Sequence, residues 1–182
     1  MTPFFDPVAR FTPSEYRCKF VEHAWEAAAY GRLRRDVFCG EQGIFDDDDR
    51  DAIDDFAKPI VAVSMLGVAA DDVVGCVRID EREPGVWFGS RLAVRPDVRG
   101  AAPLAAQLIR KAVRSAHALG CHRFLAHVQR RNVRLFRRLH WEKLDEVLIH
   151  GRPHALMQAD LEHYPALLPS RPLEVLLRPA AA

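Results

Sequence analysis

Hydrophobic positions change their spacing along the chain, and each change marks a predicted element. From Tyr16 to Val21 apolar and polar side chains alternate, the two-residue period of a strand. Trp25, Ala29, Leu33 and Val37 then recur every fourth residue, which places them on one face of a helix. Ile60 to Leu66 is a short apolar run stopped by Gly67, and Val73 to Ile79 is a second run, preceded by Asp71 and Asp72. Two such runs around a polar turn predict a hairpin. Val86 to Val94 is a further strand, ended by Arg95-Pro96, because proline cannot continue a ladder and biases its predecessor away from helix. Three successive strands predict an antiparallel meander.

The period changes again after Pro103, which suits a first helical turn. Leu104, Leu108, Ala112 and Ala116 share one face, while Gln107, Arg110, Lys111 and Arg114 fall elsewhere on the helix surface. Gly120 stands where a left-handed cap belongs. Arg123 to Val128 alternates as a strand, and Asn132 is a candidate N-cap for a short helix with Leu135, Phe136 and Leu139 inward. Two last strands, near 143–150 and 153–161, turn around Gly151. Prolines cluster before residue 15 and after residue 164, so residues 1–14 and 165–182 are expected to be tails around one domain at 15–164.

Composition narrows the class. The chain has 182 residues, 49% hydrophobic and 28% charged, enough for one soluble domain with its own core. No run reaches the roughly 18 apolar residues of a membrane span, and the N-terminus lacks a basic, apolar leader, so a cytoplasmic protein with no membrane partner is expected. Cys18, Cys39, Cys76 and Cys121 are far apart without a CxxC pair, which predicts no metal site and reduced thiols. The net charge of +1 conceals a segregation. Eight acids against Arg50 fill 41–56, whereas twelve bases against Asp97 and Glu142 fill 95–143. The acidic run lacks the glycine and glutamate spacing of a calcium loop and reads as a solvated loop. The basic run has few interleaved aromatics, so nucleic acid is not the expected partner. A small polyanion meets the same charge requirement.

The segment that can carry chemistry is the strand-to-helix turn at 95–104. Unpaired N–H groups and the positive end of the macrodipole open a helix there, and Arg95 and Arg99 stand beside it. This is an anion site in outline.

Leu92-Ala-Val-Arg-Pro-Asp-Val-Arg-Gly100, the helix after it, and Val128-Gln-Arg-Arg-Asn132-Val-Arg-Leu-Phe136 through Trp141 resemble the two central motifs of the GNAT N-acetyltransferases. The resemblance covers about 16–163. Within the superfamily, Arg35 to Ile44 and Gly151 to Met157 are similar to the nitrogen-starvation N-acetyltransferase subgroup, near the ElaA-like and acyl-homoserine-lactone-synthase branches. The resemblance implies an α/β fold, a mixed and mostly antiparallel sheet of about seven strands flanked by helices. It also implies acetyl-CoA as cofactor, lying between two splayed strands at 86–94 and 122–129, and a small-molecule amine as acceptor.

Carried over residue by residue, the pyrophosphate would sit on Arg99, Gly100, Ala101, Ala102 and Leu104, the last two standing where the family pattern has smaller residues. Leu92, Ala93 and Val94 would offer backbone N–H groups to the cofactor and its thioester, and Asn132 and Phe136 would face the pantetheine. Where many members place a proton-donating tyrosine, this chain has Phe136, which cannot donate. For catalysis the expected groups are Glu41 in a Glu-Gln-Gly turn, His127 beside the splay, and Ser90; for the substrate, Arg78, Arg91 and His154. The implied reaction is direct transfer of an acetyl or short acyl group to an amine in a ternary complex. The altered phosphate loop and missing tyrosine point alternatively to a CoA-binding sensor or partner module, and the Arg35 and Glu41 motifs to a lactone-synthase-like acyltransferase. Helix faces and edge strands could support a homodimer.

Overall fold

A computed structural model describes residue 13 and residues 15–100 and 103–176. The expected N-terminal tail lies almost wholly outside them, as do Ala101 and Ala102 of the expected phosphate loop. The fold is α/β with one eight-stranded, mostly antiparallel sheet.

Strand β1 (Glu15–Phe20) buries Tyr16 and Cys18. Helix α1 (Ala24–Arg35) begins where the Glu26 carboxylate turns back to accept from the backbone N–H groups of Glu22 and His23, at 2.8 and 3.1 Å, satisfying donors the helix leaves unpaired. It runs directly into a π-helical turn, Asp36–Glu41, in which Gln42 N–H reaches Val37 O. The expected meander follows as β2 (Lys58–Leu66), β3 (Ala69–Glu83) and β4 (Val86–Val94), all antiparallel neighbours. Helix α2 (Leu104–Ala118) crosses back over the sheet to β5 (Arg123–Gln129), which pairs with β4 in parallel. Gly120 takes the predicted left-handed conformation, with φ of 93°. After the short α3 (Val133–Arg138) come β6 (Trp141–Ile149) and β7 (Arg152–Ala159). Asn132 precedes α3, but its side chain makes no capping bond, which corrects the expected cap.

The expected C-terminal tail is partly structural. Leu173–Leu176 forms β8, paired antiparallel with β1, so the strand order is β6-β7-β5-β4-β3-β2-β1-β8. Lys111, expected on the helix surface, is fully buried, and its ammonium donates to the carbonyls of Leu168, Pro169 and Arg171. Arg114 adds a bond to Pro165 O and accepts one from Leu167 N–H on its own carbonyl.

The sheet has a core on each face. Tyr16, Ile60, Ile79, Leu108, Phe124 and Met157 belong to the face covered by α2. Leu33, Val37, Val61, Val63, Cys76 and Ala93 belong to the face covered by α1. Helix α2 approaches β3 at Gly75, where a Cβ would lie 2.9 Å from Leu108 Cδ1, too close for any larger residue without movement. All four cysteines are free; Cys18, Cys76 and Cys121 are buried. No helix among the described residues is long and apolar enough to cross a membrane, and no group of candidate ligands among them could hold a metal ion.

Candidate functional site

Strands β4 and β5 stay paired only from Val86–Gly89 against Arg123–Ala126. Beyond that point each follows its other neighbour. Ser90 pairs with Arg78 and Ala93 with Cys76 on β3, while His127, Val128 and Gln129 pair with Leu156, Ala155 and His154 on β7. The two backbones therefore diverge as a wedge whose facing N–H and C=O groups are left for a ligand. Arg91 drives the divergence: Arg91 and Leu92 bulge opposite Val77, and Arg91 has φ of 55°, a strained value for a residue with a Cβ. The wedge opens into a cavity of about 450 Å³.

Leu92 lines this cavity, Val94 is half-buried beside it, and the Ala93 side chain turns into the α1-face core. Asn132 and Phe136 line its α3 side, as expected. Phe136 is buried edge-on against Trp141 with ring centroids 4.9 Å apart, so it is a packing group that also forms cavity wall. Gly100, with φ of 88°, has open space around it, and Leu104 is buried in the α2-face core. The bulk at Leu104 thus points away from the loop.

Glu41 is not where the sequence suggested. The cavity is lined by its neighbour Gln42, whose side chain accepts from Gln129 at 3.0 Å and whose carbonyl accepts from Arg152 at 3.0 Å. Glu41 faces the phosphate-type loop instead. Both its oxygens take a bidentate pair from Arg99 Nη1 and Nη2 at 2.7 Å, while Arg99 Nε donates to Val94 O. That guanidinium holds the Glu41 carboxyl below its ordinary range. A carboxylate so placed is a poor base for a cavity it does not line.

The remaining expected groups share one wall. His127 and His154 lie on the α1-side face of adjacent strands, His127 packing against Phe88 at 5.9 Å. Burial, then Arg82 and His154, push the His127 imidazole below its ordinary pKa, which keeps it neutral near pH 7. His154 Nδ1 lies 2.9 Å from Arg152 O. Arg82 lines the same cavity, stacked 3.8 Å over Phe88 and paired with Asp80 at 2.9 Å.

Arg78 is 1% exposed and fully committed: Nε donates to Ser90 Oγ at 2.9 Å, and the Nη atoms bind both oxygens of Asp51 at 2.7 and 2.8 Å, with Asp54 also at 2.7 Å. It therefore positions Asp51 and Ser90, which corrects its expected role as a free substrate contact. Arg91 Nε and Nη2 reach Asp49 Oδ2 and Asp51 Oδ2 at 2.8 and 3.1 Å, and its guanidinium lies 4.8 Å over the Phe45 ring.

The sequence reading missed what holds these arginines. Arg34 of α1, buried at 2% exposure, binds Asp49 at 2.8 Å and Asp54, so three arginines meet three aspartates of the acidic segment. Asp49, expected in a solvated run, is 1% exposed. A usable signal was Arg34 itself, adjacent to Leu33 on the apolar side of α1.

The family model "Acetyltransferase (GNAT) family" matches residues 20–141. A comparison with curated proteins gives no match. Among solved structures, a candidate N-acetyltransferase from Lactobacillus plantarum superposes with a TM-score of 0.70 at 22% identity, covering 79% of this chain and 97% of that one. ElaA from Escherichia coli gives 0.65 at 19% identity, covering 80% and 98%. An acyl-CoA N-acyltransferase from Pseudomonas aeruginosa gives 0.62 at 20% identity, covering 79% and 98%. These likenesses are of fold. With the family model spanning most of the domain and the β4/β5 wedge formed where its motifs lie, the chain belongs to the GNAT acetyltransferase family.

Proposed function

We propose that this protein is a cytoplasmic N-acyltransferase that moves an acetyl or short acyl group from CoA to the amine of a small molecule in a ternary complex. The observation that carries the reading is the open wedge between β4 and β5 leading into a 450 Å³ cavity, since exposed strand edges can pair with the amides of a pantetheine arm. The thioester carbonyl would be polarised by backbone N–H of the Leu92–Val94 segment. Arg99, Gly100 and the start of α2 would take the pyrophosphate, with Arg131 nearby on the cavity rim.

His127 replaces Glu41 as the base. It takes one proton from the substrate ammonium and passes it to solvent; the freed amine nitrogen attacks the thioester carbon. The tetrahedral intermediate collapses with loss of the C–S bond, and the CoA thiolate takes the second proton of that nitrogen, giving amide and CoA thiol. No tyrosine is needed on α3 for this balance. Arg152 and His154 line the acceptor side and favour an acceptor bearing a carboxylate, while Arg91, held by Asp49 and Asp51, shapes the wall beside them.

Calorimetric titration with acetyl-CoA and free CoA tests the reading, followed by an amine screen. Micromolar binding is the expected result, and absence of binding to millimolar concentration would remove it. A second reading, a CoA-responsive module without turnover, is favoured by the Arg99–Glu41 pair, which occupies the loop arginine. Binding without acyl transfer to any amine would select it.

A further inference from the structure

The cavity's charges do not balance once each ion pair is set aside. Among the described residues, five arginines and three histidines line it against one acid, Asp51. Asp51 is already held by Arg78 and Arg91, which belong to the closed cluster with Asp49 and Asp54. No lining carboxylate is left to receive an ammonium, so a multiply cationic acceptor would meet only repulsion. Three arginines remain. The charge of Arg131 is felt at Glu41, which places it toward the loop of Arg99. Arg152 bonds only backbone oxygens, Gln42 O at 3.0 Å and Gly43 O at 3.5 Å, so among the described residues its charge has no counter-ion. Arg82 differs. Its Nε is fixed by Asp80, a carboxylate 1% exposed whose second oxygen has no partner, and among the described residues its Nη1 and Nη2 meet no acceptor. The buried carboxylate thus holds the guanidinium over Phe88 and leaves its two-pronged end for a ligand.

These two arginines flank the base. The strands run β7-β5-β4-β3 here, with Arg152 on β7, His127 on β5 and Arg82 on β3. Arg82 and His127 share Phe88 as a neighbour, at 3.8 and 5.9 Å from its ring. On the other side His154 pairs in the ladder with Gln129, two residues from His127, and Arg152 shares its face. Three strand spacings of about 4.8 Å separate the β3 and β7 backbones, room for two arginine side chains and a ligand of amino-acid size. Resting on the transfer reading above, we propose that the acceptor is an amino dicarboxylate. Its α-carboxylate lies on Arg152 and His154, its amine at His127, and its side-chain carboxylate on the Nη1 and Nη2 fork of Arg82. The carboxylate beside the amine goes to Arg152 because His154 stands on the strand bonded to that of the base, whereas Arg82 is two strands away. Two negative charges and one ammonium leave such a molecule with one net negative charge, the complement of uncompensated Arg152. The bonds are those of the transfer above: the amide C–N bond forms, the C–S bond breaks, and two nitrogen protons leave, one to His127 and one to the CoA thiolate.

The test is steady-state transfer by the full chain from saturating acetyl-CoA, followed by release of CoA thiol, with glutamate, aspartate, glutamine, asparagine and spermidine as acceptors. The better of the two acids is expected to exceed its amide by roughly ten- to hundredfold in kcat/KM, the worth of a charged, two-pronged hydrogen bond, and spermidine to be the poorest. Arg82→Met is expected to bring the acid down to the level of its amide by raising KM. Because that change leaves buried Asp80 without a counter-charge, Arg82→Lys is the second variant: it keeps the charge, lacks the fork, and is expected to lose the preference as well. Arg152→Met is expected to weaken acid and amide alike. Equal use of acid and amide by the unaltered protein, a preference for spermidine, or an acid preference that both folded Arg82 variants keep would overturn the proposal and leave acyl transfer standing. Transfer to none of these amines would overturn it too, and absence of acetyl-CoA binding in calorimetry would remove the reading beneath it.

Discussion

At the scale of single residues, both Glu41 and His127 were expected as catalytic groups, and only His127 lines the cavity, while Glu41 pairs with Arg99. Glu41 and Gln42 are neighbours, and a helix turns about 100° per residue, so which of them meets the cavity depends on how the helix ends. The π turn at Asp36–Glu41 inserts a residue's worth of rotation, and it sends Gln42 into the cavity and Glu41 to Arg99. No apolar spacing in the sequence marks that turn, so the motif was legible and its direction was not. On the proposed CoA reading, Glu41 would compete as a counter-ion with phosphate for Arg99. Glu41→Gln is therefore expected to raise CoA affinity a few-fold at low salt, the scale of a half-exposed ion pair, and calorimetry at rising ionic strength should show the gain fade. Unchanged affinity at low salt would mean that phosphate does not meet Arg99. For His127, burial together with Arg82 and His154 lowers the pKa, so the base form is already dominant at neutral pH and is lost only in acid. The kcat/KM profile should rise through a pKa below 6.5 to a plateau at pH 7. His127→Gln is expected to cost about 10²- to 10⁴-fold in kcat and to abolish that acid limb. A variant retaining the limb would assign it to His154 or to the substrate.

At the scale of elements, the seven strands and three helices read from periodicity all form, and the eighth strand does not announce itself. Leu173–Leu176 is four residues long in a proline-rich segment, too short for alternation to be told from chance. What fixes it is Lys111, which reads as surface charge in a linear sequence because its helical position lies beside the apolar stripe. In the fold its ammonium lies 5.4 Å from the centre of the Phe20 ring and is the shared donor for three carbonyls of the chain leading to β8. Removing the donor strands three acceptors, each about 1–3 kcal/mol if it stays buried. Lys111→Met is expected to loosen residues 165–176 selectively. Hydrogen exchange at the β1–β8 pairs should accelerate while the β2–β3 and β4–β5 amides keep their protection. Uniform acceleration would instead show that β8 unfolds only with the whole sheet. Burial also lowers the Lys111 pKa to about 8, against about 10.4 in an unfolded chain. The unfolded state therefore binds the extra proton between those values, and stability should rise as pH rises through that window. Lys111→Met should flatten this rise in urea-denaturation midpoints measured from pH 7.5 to 10.5.

At the scale of the whole molecule, part of the acidic segment is neutralised in space by arginines from outside the basic segment. Acids of 49–54 neutralise Arg34 from α1, Arg78 from β3 and Arg91 from β4, so helix, meander and acidic segment are joined at one desolvated cluster. Sequence counting sees seven excess negative charges as a surface property, since it cannot know that three distant arginines converge there. Burial raises the Asp54 carboxyl pKa, but Arg34, the Asp51 backbone and Arg78 outweigh it and hold the group well below the ordinary range; Arg78 does the same at Asp51. Their stabilisation is complete above the unfolded value near 3.9 and is lost as pH falls from there toward the lower folded values. Replacing Asp54 with Asn leaves two buried guanidiniums short of a counter-charge, a loss of about 3–5 kcal/mol. The variant's urea midpoint at pH 7 should fall accordingly, and the further loss between pH 5 and pH 3 should be smaller than in the unaltered protein. The same cluster sets the Arg91 bulge that splays β4 from β5 and the wall against which an acceptor would lie. Its disturbance should therefore reach the site unevenly. Assayed under conditions where it remains folded, Asp54→Asn is expected to lower kcat/KM for the acceptor while CoA, held by the far edge of the wedge and the loop at Arg99, binds within twofold of its original affinity. Equal losses for both ligands would show that the cluster supports the wedge as a whole and not its acceptor wall.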